Sequence, residues 1–304
     1  MRLFHGFPHT PTIIDGGLSN VLEGQGCDLN HPLWTARLLT EEPEAIVQAH
    51  LRYLQAGAQC IITSSYQASM AGFVELGYEQ AFAKKLLRRT VELATTAIDR
   101  FLAEAEPAER PLIAASIGPY GAYLADGSEY RGNYGVSRET LYAFHRERMQ
   151  LLDATRADLF ACETIPSVLE AEVLADLLRQ TRTPAWISFS CRDEQHLNDG
   201  TLIAEAAAPL ADHPNVLAIG VNCTPPRYIS GLICTLKPVV GAKKIVVYPN
   251  SGETYHAASK TWRGISDPVA FVAMAQEWCA LGADIIGGCC RIGPAHIRLL
   301  RAEL

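Results

Sequence analysis

Eight short apolar runs alternate with helical patterns along almost the whole chain, and this alternation restricts the fold more than any other feature. Each run is followed by a polar residue, glycine or proline. The runs lie at residues 11–14, 59–63, 111–117, 158–162, 185–189, 216–221, 244–248 and 283–286. Strands that are buried on both faces of a parallel sheet have such continuous apolar sequences. The pattern therefore predicts eight parallel strands.

Stretches with helical periodicity separate the strands. They cover residues 44–56, 78–103, 137–155, 166–180, 201–210, 226–236 and 267–281, and Gly293-Pro294 opens a last helix. Ser137 and Asp267 are suitable N-cap residues. Eight strand–helix units in a chain of 304 residues fit a (β/α)₈ TIM barrel. A doubly wound open sheet is the alternative, but the first βα turn lacks a GxGxxG signature. With no visible linker or repeat, we predict one α/β barrel domain over residues 1–304.

Charge and composition disfavour several classes of binding partner. The net charge is −7 and no dense basic run occurs, which disfavours binding to nucleic acids or acidic membranes. No apolar run reaches the ~18 residues of a membrane helix. The first residues lack an apolar signal-peptide core, and the nine cysteines have no disulfide-framework spacing. We therefore expect a cytoplasmic protein with reduced thiols that acts on small molecules.

Three cysteines at two strand ends form the strongest candidate site. Cys289 and Cys290 follow Gly287-Gly288 after the eighth strand, and Cys223 follows the sixth. Adjacent side chains alternate on a strand, so the pair can face one point only beyond it. Three thiolates suit zinc with one open position. The alternatives are buried core thiols or a strained disulfide. The other cysteines are interpreted as packing residues: Cys27, Cys60, Cys162, Cys191, Cys234 and Cys279.

Polar residues cluster after the predicted strands. In a (β/α)₈ barrel the active site lies at the carboxyl ends of the strands. The residues in those positions are Asp15, Ser64, Glu163, Ser190, Asn222, Cys223, Asn250, Ser251, Cys289 and Cys290. This shared location favours the zinc hypothesis over the two alternatives for the cysteines.

A zinc ion with three thiolate ligands favours sulfur chemistry over hydrolysis. Three thiolates outweigh the +2 charge, so the ion would polarise a carbonyl poorly. It can still hold a thiol as a thiolate at neutral pH. Asp15 and Glu163 would lie at the same mouth, where buried carboxylates need partners. A substrate ammonium would serve; alternatively, each carboxylate pairs with an arginine or caps a loop.

Motifs spread over the chain resemble those of the homocysteine S-methyltransferase family. They are Asp15-Gly16-Gly17, Gly118-Pro119-Tyr120-Gly121, Ala161-Cys162-Glu163-Thr164, Val221-Asn222-Cys223, Tyr248-Pro249-Asn250-Ser251-Gly252 and Gly287-Gly288-Cys289-Cys290-Arg291. The resemblance implies a zinc-bearing (β/α)₈ barrel with Cys223, Cys289 and Cys290 as metal ligands and catalytic centre. It also implies that Asp15 and Glu163 hold the amino group of homocysteine. We assign further substrate contacts to Gly16, Ser64, Asn222, Asn250 and Ser251. The family usually has threonine where this chain has Asn20, after Ser19.

The methyl donor follows from the same resemblance and from charge. Residues 123–132 are similar to the branch that uses S-methylmethionine. Cobalamin-dependent relatives carry further domains for which this chain has no room, so a free small donor is expected. A sulfonium would enter a negative mouth, where aromatic rings can hold a cation; the candidate rings are Trp34, Tyr66, Tyr123 and Tyr130. We expect S-methylmethionine first, S-adenosylmethionine second and betaine third. The alternatives are methylation of selenocysteine or another thiol, and a zinc-dependent thiol-binding protein without turnover.

Overall fold

The computed structural model describes residues 10–29, 34–107, 109–256, 261–263 and 266–304. Within these ranges, the side chains of Trp34 and of residues 254–256 and 261–263 lie outside the description. The prediction that the Trp34 ring faces the mouth therefore concerns a side chain outside the described part.

Ten strands occur in the described part of the chain. They are β1 (Thr12–Ile13), β2 (Cys60–Ile62), β3 (Leu112–Ile117), β4 (Leu159–Ile165), β5 (Ala185–Phe189), β6 (Val216–Asn222), β7 (Lys244–Tyr248), β8 (Thr254–His256), β9 (Thr261–Arg263) and β10 (Ile285–Ile286). β8 and β9 form a separate antiparallel hairpin. The other eight are joined in parallel in the order β1-β10-β7-β6-β5-β4-β3-β2. A parallel bridge between Ile14 and Cys60 connects β1 to β2. This bridge closes the sheet and confirms the predicted (β/α)₈ barrel.

Helices surround the barrel. They are α1 (Leu18–Gly24), α2 (Leu38–Glu41), α3 (Pro43–Gln55), α4 (Met70–Glu75), α5 (Gln80–Glu104), α6 (Tyr120–Leu124), α7 (Arg138–Asp153), α8 (Val168–Leu178), α9 (Ile203–Ala207), α10 (Ile229–Leu236), α11 (Pro268–Leu281) and α12 (Pro294–Glu303). Short 3₁₀ helices cover Trp34–Arg37, Ser128–Tyr130, Ala208–Leu210 and Pro226–Tyr228. The eight predicted helices are present within a few residues of the expected bounds. The expected caps also form: Ser137 accepts from the Thr140 amide, and Asp267 accepts from the Val269 amide.

Four short helices were not predicted: α1, α2, α4 and α6. They occupy the connections that follow β1, β2 and β3. With only four to seven residues each, they are too short to show a helical repeat. The connection after β3, for which the sequence predicts no helix before residue 137, therefore contains α6 and a 3₁₀ turn.

The buried side chains form two layers. A small cluster fills the barrel interior, from Ile14 and Leu159 to Trp186 and Tyr248. A larger one lies between the strands and the helices. Successive residues of a strand point to opposite faces, and β4 shows this, because Leu159 and Ala161 point inward while Phe160 and Cys162 pack outward. Within the described ranges, every helix is too short or too polar to span a bilayer.

Candidate active site and metal centre

A cavity of about 480 Å³ opens at the carboxyl ends of the barrel strands. Its lining includes the three predicted cysteines and two glutamates, but no lysine, arginine or histidine among the residues that the structure describes. We call Ile62, Glu163, Thr164 and Tyr248 the strand-borne wall, because all four belong to barrel strands. We call Gln67, Ala125, Gly127, Glu129 and Tyr130 the loop-borne wall, because they belong to the connections after β2 and β3.

The three cysteines meet at one point of this cavity. Each thiol sulfur of Cys223, Cys289 and Cys290 lies within 4.8 Å of the other two. The Cys223 and Cys290 sulfurs are 3.7 Å apart. A tetrahedral zinc ion with Zn–S bonds of about 2.3 Å holds its sulfur ligands about 3.8 Å apart. The donor set and its spacing therefore fit a Cys₃ zinc site, as the sequence predicts.

The thiols of the cluster also differ in pKa. Hydrogen bonds from Cys223 and Cys289 hold the pKa of Cys290 well below its usual value. The hydrogen bond with Cys223 instead raises the pKa of Cys289. The cluster thus stabilises at least one thiolate, which is the form that binds a metal.

Backbone geometry explains how adjacent residues reach the same cavity. β10 ends at Ile286, so the two following glycines and the cysteine pair are free of strand alternation. A Cβ atom at Gly17 would lie 2.6 Å from the Cys289 carbonyl oxygen, so glycine there lets the first loop pack directly on the cysteine loop. At the end of β6, Cys223 has a left-handed φ of 46°. This value breaks the alternation after the inward-facing Asn222 and turns the thiol into the mouth.

A left-handed residue near the end of β4 has the same effect. The strand runs to Ile165, three residues beyond its predicted end, and its register against β5 shifts between Cys162 and Ile165. Thr164 has a φ of 59°. Glu163 therefore continues the inward series of β4, and Thr164 still reaches the cavity beside it. Glu163 thus projects from the strand itself and not from the following loop, where the sequence places it.

Two buried carboxylates adjoin the cavity without a cationic partner. Glu163 accepts a hydrogen bond from Ser116. Burial raises the pKa of Glu163 to about 7, although hydrogen bonds from Ser116 and Tyr248 oppose the rise. One oxygen of Asp15 accepts from the Ile62 amide at 2.8 Å, and the other is buried with no partner in the described structure. Burial raises the pKa of Asp15 well above its usual value. The predicted alternative, an arginine partner for each, is not what the described contacts show.

The predicted substrate contacts separate into two groups. Gly16, Ser64 and Glu163 line the cavity, and the Ser64 hydroxyl is buried with no partner in the described part of the chain. Asp15, Asn222, Asn250 and Ser251 lie behind the lining. Direct contact of any of these four with a substrate stays a prediction, and among them only Asp15 has a buried side-chain atom without a partner in the described structure.

Asn222 and its neighbours instead position other residues. The Asn222 side chain accepts from the Thr164 amide at 2.6 Å and donates to the Thr164 hydroxyl at 2.7 Å, which supports the strained residue beside Glu163. Asn250 accepts from the Gly252 amide in a tight turn. The Ser251 amide donates to the Cys290 carbonyl at 3.1 Å. These contacts fix the backbone around the cysteines and Glu163. Ser190, also expected at the mouth, contacts the Glu129 carbonyl oxygen.

Two of the three described aromatic candidates reach the cavity. Tyr66 and Tyr130 line it, and the Tyr130 hydroxyl lies 3.2 Å from the Cys223 sulfur. Tyr123 does not line it: its hydroxyl bonds Glu75 and its ring packs against Tyr120. Of the two roles that the sequence leaves open for each ring, donor contact or packing, Tyr123 has the packing role, and its hydroxyl joins α6 to α4.

The loop-borne wall is anchored to a buried charged cluster. Glu170, on α8, accepts from the Tyr120 amide at 2.6 Å, the Tyr134 hydroxyl at 2.8 Å and His145 at 2.8 Å. The other ring nitrogen of His145 accepts from Arg148 at 2.8 Å. Burial and the Arg148 charge lower the pKa of His145 to about 4, so the ring is neutral. Glu170 thereby holds both ends of residues 120–134.

Two further details depart from the sequence reading. Asn20, where the family usually has threonine, accepts from the Arg291 amide at 3.1 Å and so links the first loop to the residue after the cysteine pair. Cys234 is exposed, whereas the sequence predicts a packing residue.

Sequence reasoning also missed Gln67 and Glu129 as cavity residues. The only signal for Glu129 is an acidic side chain within the similar segment 123–132, and Gln67 offers none.

The fold agrees with comparisons with known proteins. A sequence model described as homocysteine S-methyltransferase matches residues 12–304. A homocysteine S-methyltransferase from Escherichia coli (strain K12) is 48% identical, with 96% of this chain and 94% of that protein covered. This chain belongs to the homocysteine S-methyltransferase family. The predicted membership, and with it the predicted class of enzyme, is confirmed.

Other members of the family agree over nearly full length. The homocysteine S-methyltransferase YbgG of Bacillus subtilis (strain 168) is 47% identical, over 95% of this chain and 93% of its own length. A selenocysteine methyltransferase of Astragalus bisulcatus is 45% identical, over 94% and 90%. Among solved structures, the metallated form of the homocysteine methyltransferase MmuM from Escherichia coli matches with a TM-score of 0.88 and 44% identity, covering 97% of this chain and 96% of that one.

Proposed function

We propose that this protein transfers a methyl group from a small sulfonium donor to the sulfur of homocysteine and so forms methionine. The observation that carries the proposal is the juxtaposition, in one cavity, of three converging thiols and carboxylates that lack a cation. S-methylmethionine is the preferred donor and S-adenosylmethionine the second. The family, and relatives named for this reaction, support the homocysteine part.

Cys223, Cys289 and Cys290 would hold zinc in this proposal. Zinc bound there would supply one thing, namely the stabilisation of the substrate thiol as a thiolate at neutral pH. The 3.7 Å spacing of two of the sulfurs supports this assignment. A metallated form of the Escherichia coli relative is consistent with it.

Glu163 on the strand-borne wall, together with Asp15 behind the cavity lining, would receive the amino group of homocysteine. Asp15 and Glu163 each have a raised pKa because they are buried without a counter-ion. An ammonium group would supply the missing positive charge and hydrogen-bond donors, including one for the orphan oxygen of Asp15. Held there by its amino end, homocysteine would direct its thiol towards the cysteine cluster.

The transfer would be a direct displacement. The thiolate of homocysteine attacks the donor methyl carbon, the bond from that carbon to the sulfonium sulfur breaks, and its electron pair leaves with a neutral thioether. The thiol proton goes to solvent. With S-methylmethionine, both the methylated acceptor and the departing thioether are methionine. The residues serve mainly to align the two sulfurs about the methyl group, which is where most of the rate advantage of such reactions arises.

The test is a competition between donors. The zinc-loaded protein is incubated with homocysteine and equal concentrations of S-methylmethionine, S-adenosylmethionine and betaine, each with a distinct isotopic label in its methyl group. Most of the label in methionine should come from S-methylmethionine. Label arriving mainly from betaine would overturn the donor assignment, and no labelled methionine at all would overturn the proposed reaction.

Methylation of selenocysteine is a second candidate. The 45% identical selenocysteine methyltransferase of Astragalus bisulcatus favours it. Selenocysteine has a shorter side chain than homocysteine, so an amino group held by Asp15 and Glu163 would leave its selenium further from the cysteine cluster. Steady-state comparison of the two acceptors with one donor distinguishes the candidates. A higher kcat/KM for selenocysteine would make it the preferred substrate.

A further inference from the structure

The loop-borne wall contains a second carboxylate without a counter-ion. Glu129 lines the cavity, and its Oε2 atom is buried with no hydrogen-bond partner within the described residues. The nearest arginine in sequence, Arg131, is used elsewhere: its guanidinium donates to Asp126 at 3.0 Å and to Ser128 at 2.8 Å. Burial raises the pKa of Glu129, and the neighbouring Cys223 charge adds to the rise. Arg131 therefore lowers the pKa of Glu129 only by its charge at a distance, and no cation among the described residues forms an ion pair with this carboxylate.

A second orphan acceptor lies on the same wall. The Gln67 amide nitrogen donates to the Ala122 carbonyl at 2.9 Å, which fixes the orientation of the amide. Its oxygen is consequently the free atom, and this oxygen is buried without a partner among the described residues. Buried acceptors without donors are costly unless a ligand supplies the donors. One carboxylate oxygen of Glu129 and the amide oxygen of Gln67 lack donors among the described residues, and both residues line the cavity.

We propose that Glu129 and Gln67 form a second ammonium site, which binds the α-amino group of the methyl donor. This inference rests on the proposed function, because it concerns the second substrate of that reaction. Each of the two amino acids in the reaction carries one ammonium group. The cavity has a carboxylate on each of two different walls, Glu163 on one, with Asp15 buried behind the lining, and Glu129 on the other. One substrate would bind at each wall, with the cysteine cluster between their sulfur ends.

The ammonium is a better match than the sulfonium itself for these residues. A sulfonium has no N–H group, so it could balance the charge of Glu129 but could not satisfy the orphan oxygens of Glu129 and Gln67 by hydrogen bonds. An ammonium supplies three donors. The site would consequently select sulfonium amino acids over sulfonium or quaternary ammonium compounds that lack an amino group.

The experiment compares two donors that differ only in the amino group. S-methylmethionine is paired with 4-(dimethylsulfonio)butanoate, and both are measured with the parent protein and with Glu129→Gln. The glutamine is isosteric and removes the charge. We expect the KM for S-methylmethionine to rise about 10- to 100-fold in Glu129→Gln, as is typical for a hydrogen bond to a charged group. The KM for the analogue and the KM for homocysteine should stay within about twofold.

Asp126→Asn is the matched control. It removes the same charge from the same segment, but Asp126 is exposed, does not line the cavity and pairs with Arg131. Asparagine keeps the oxygen that accepts from the Ser128 amide. We expect this variant to retain the parent KM for both donors. Equal losses in the two variants would show a general charge effect and overturn the direct contact.

Other results separate this inference from the proposed function. An equal loss for both donors in Glu129→Gln would mean that the carboxylate acts on the sulfonium, and the amino-group site would be refuted. Calorimetric binding of S-methylmethionine provides a readout that needs no turnover. Binding that depends on Glu129, without methyl transfer, would support the site and refute the reaction. Turnover of S-methylmethionine that does not depend on Glu129 would support the reaction and refute the site.

Discussion

The strand-borne and loop-borne walls of the cavity have the same electrostatic character but different mechanical support. Each contains a glutamate that forms no ion pair within the described part of the chain: Glu163, which is buried, in one, and the half-buried Glu129 in the other. Glu163 is held within the barrel interior by Ser116 and Tyr248. Glu129 belongs to a connection that is fixed from outside the barrel, through Glu170 on α8. One substrate site is thus part of the sheet, and the other belongs to a connection whose main anchor lies on a surrounding helix.

This difference suggests a division of tasks. A site on strands can hold one substrate in a fixed position, whereas a site on a connection can adapt to different partners. In the proposed reaction, the acceptor would be bound rigidly and the donor with more tolerance. Variants that affect one wall should therefore change the kinetics of one substrate and leave the other nearly unchanged.

The largest effect is expected for the thiols that lie between the two walls. Cys290→Ser should abolish stoichiometric zinc binding and reduce turnover by more than about 10³-fold, because both substrates depend on the cluster. Elemental analysis and labelled methionine report these quantities, and a thermal melt should show that the barrel still folds. Cys234→Ser makes the same change at an exposed position and should retain one zinc per chain. Full zinc occupancy in Cys290→Ser would remove Cys290 from the ligand set.

Glu163→Gln should give the next largest effect, and it should be confined to the acceptor. Loss of one partner from a buried charge pair costs about 3–5 kcal/mol, which corresponds to a rise in the homocysteine KM of more than about 100-fold. The donor KM and the zinc content should change little. Glu172→Gln, the same change at an exposed residue that pairs with Arg138, serves as the control. A Glu163→Gln enzyme with the parent homocysteine KM would show that Glu163 is structural.

A smaller effect, on the donor, is expected from the anchor of the loop-borne wall. Glu170→Gln should loosen residues 120–134, which hydrogen exchange can measure, and raise the donor KM roughly 10- to 100-fold through misplacement of Glu129. The change also removes the Glu170 charge that acts on the buried Arg148 guanidinium, so the free energy of unfolding should fall. Tyr134→Phe removes only one hydrogen bond to Glu170 and should act in the same direction more weakly. A rise in the homocysteine KM instead would contradict the independence of the two walls.

The smallest effect at neutral pH is on the free energy of unfolding, and it comes from two buried histidines, His50 and His145. His50 lies on α3, which packs against β2, and His145 belongs to the Glu170 cluster. Burial lowers the pKa of both to about 4. Between pH 6.5 and 4 the unfolded chain therefore binds more protons than the folded one, and stability falls as the pH falls. Each histidine contributes up to about 1.4 kcal/mol per pH unit in this window.

Denaturant unfolding between pH 7 and pH 4.5 checks this dependence. His50 has no hydrogen-bond partner in the described structure, so His50→Leu should remove its share of the slope without breaking a contact. His145→Gln should remove a similar share and also disturb the loop-borne wall. If His50→Leu and the parent lose stability equally as the pH falls, His50 is not neutral in the folded state.

The two walls also differ in how far the sequence predicts them. Each barrel strand is marked by an apolar run, and the residue that follows it is placed at the mouth by the fold alone. This reasoning located Cys223, Ser64 and Glu163. Asn222 also ends a strand but is not part of the cavity lining, because its side chain turns inward and supports Thr164. Nothing in the sequence signals the left-handed backbone at Thr164 that brings two consecutive residues of β4 to the cavity.

The sequence predicts few of the residues of the loop-borne wall. Its residues come from connections that contain short helices, and a helix of five residues such as α6 has no detectable period. Whether Tyr123 or Tyr130 faces the cavity depends on the contact of Tyr123 with Glu75, which lies on another connection. Long-range contacts of this kind are absent from the pattern of a single chain. Resemblance to the family identified the segment but not which of its side chains line the cavity.

The strained backbone at the mouth has a consequence for how this barrel can change over generations of mutation. Besides Ala125 in the loop-borne wall, three residues at or after the carboxyl ends of strands, Thr164, Cys223 and Arg291, have left-handed φ values of 46° to 69°, and such residues cost roughly 1–3 kcal/mol each. Glycine would relieve this cost at any of them. A library selected only for heat resistance should therefore accumulate glycine at these positions, and with it inactive proteins. Selection for turnover as well should exclude glycine from Cys223 first, so the trade-off between durability and catalysis would be concentrated in three residues of the mouth.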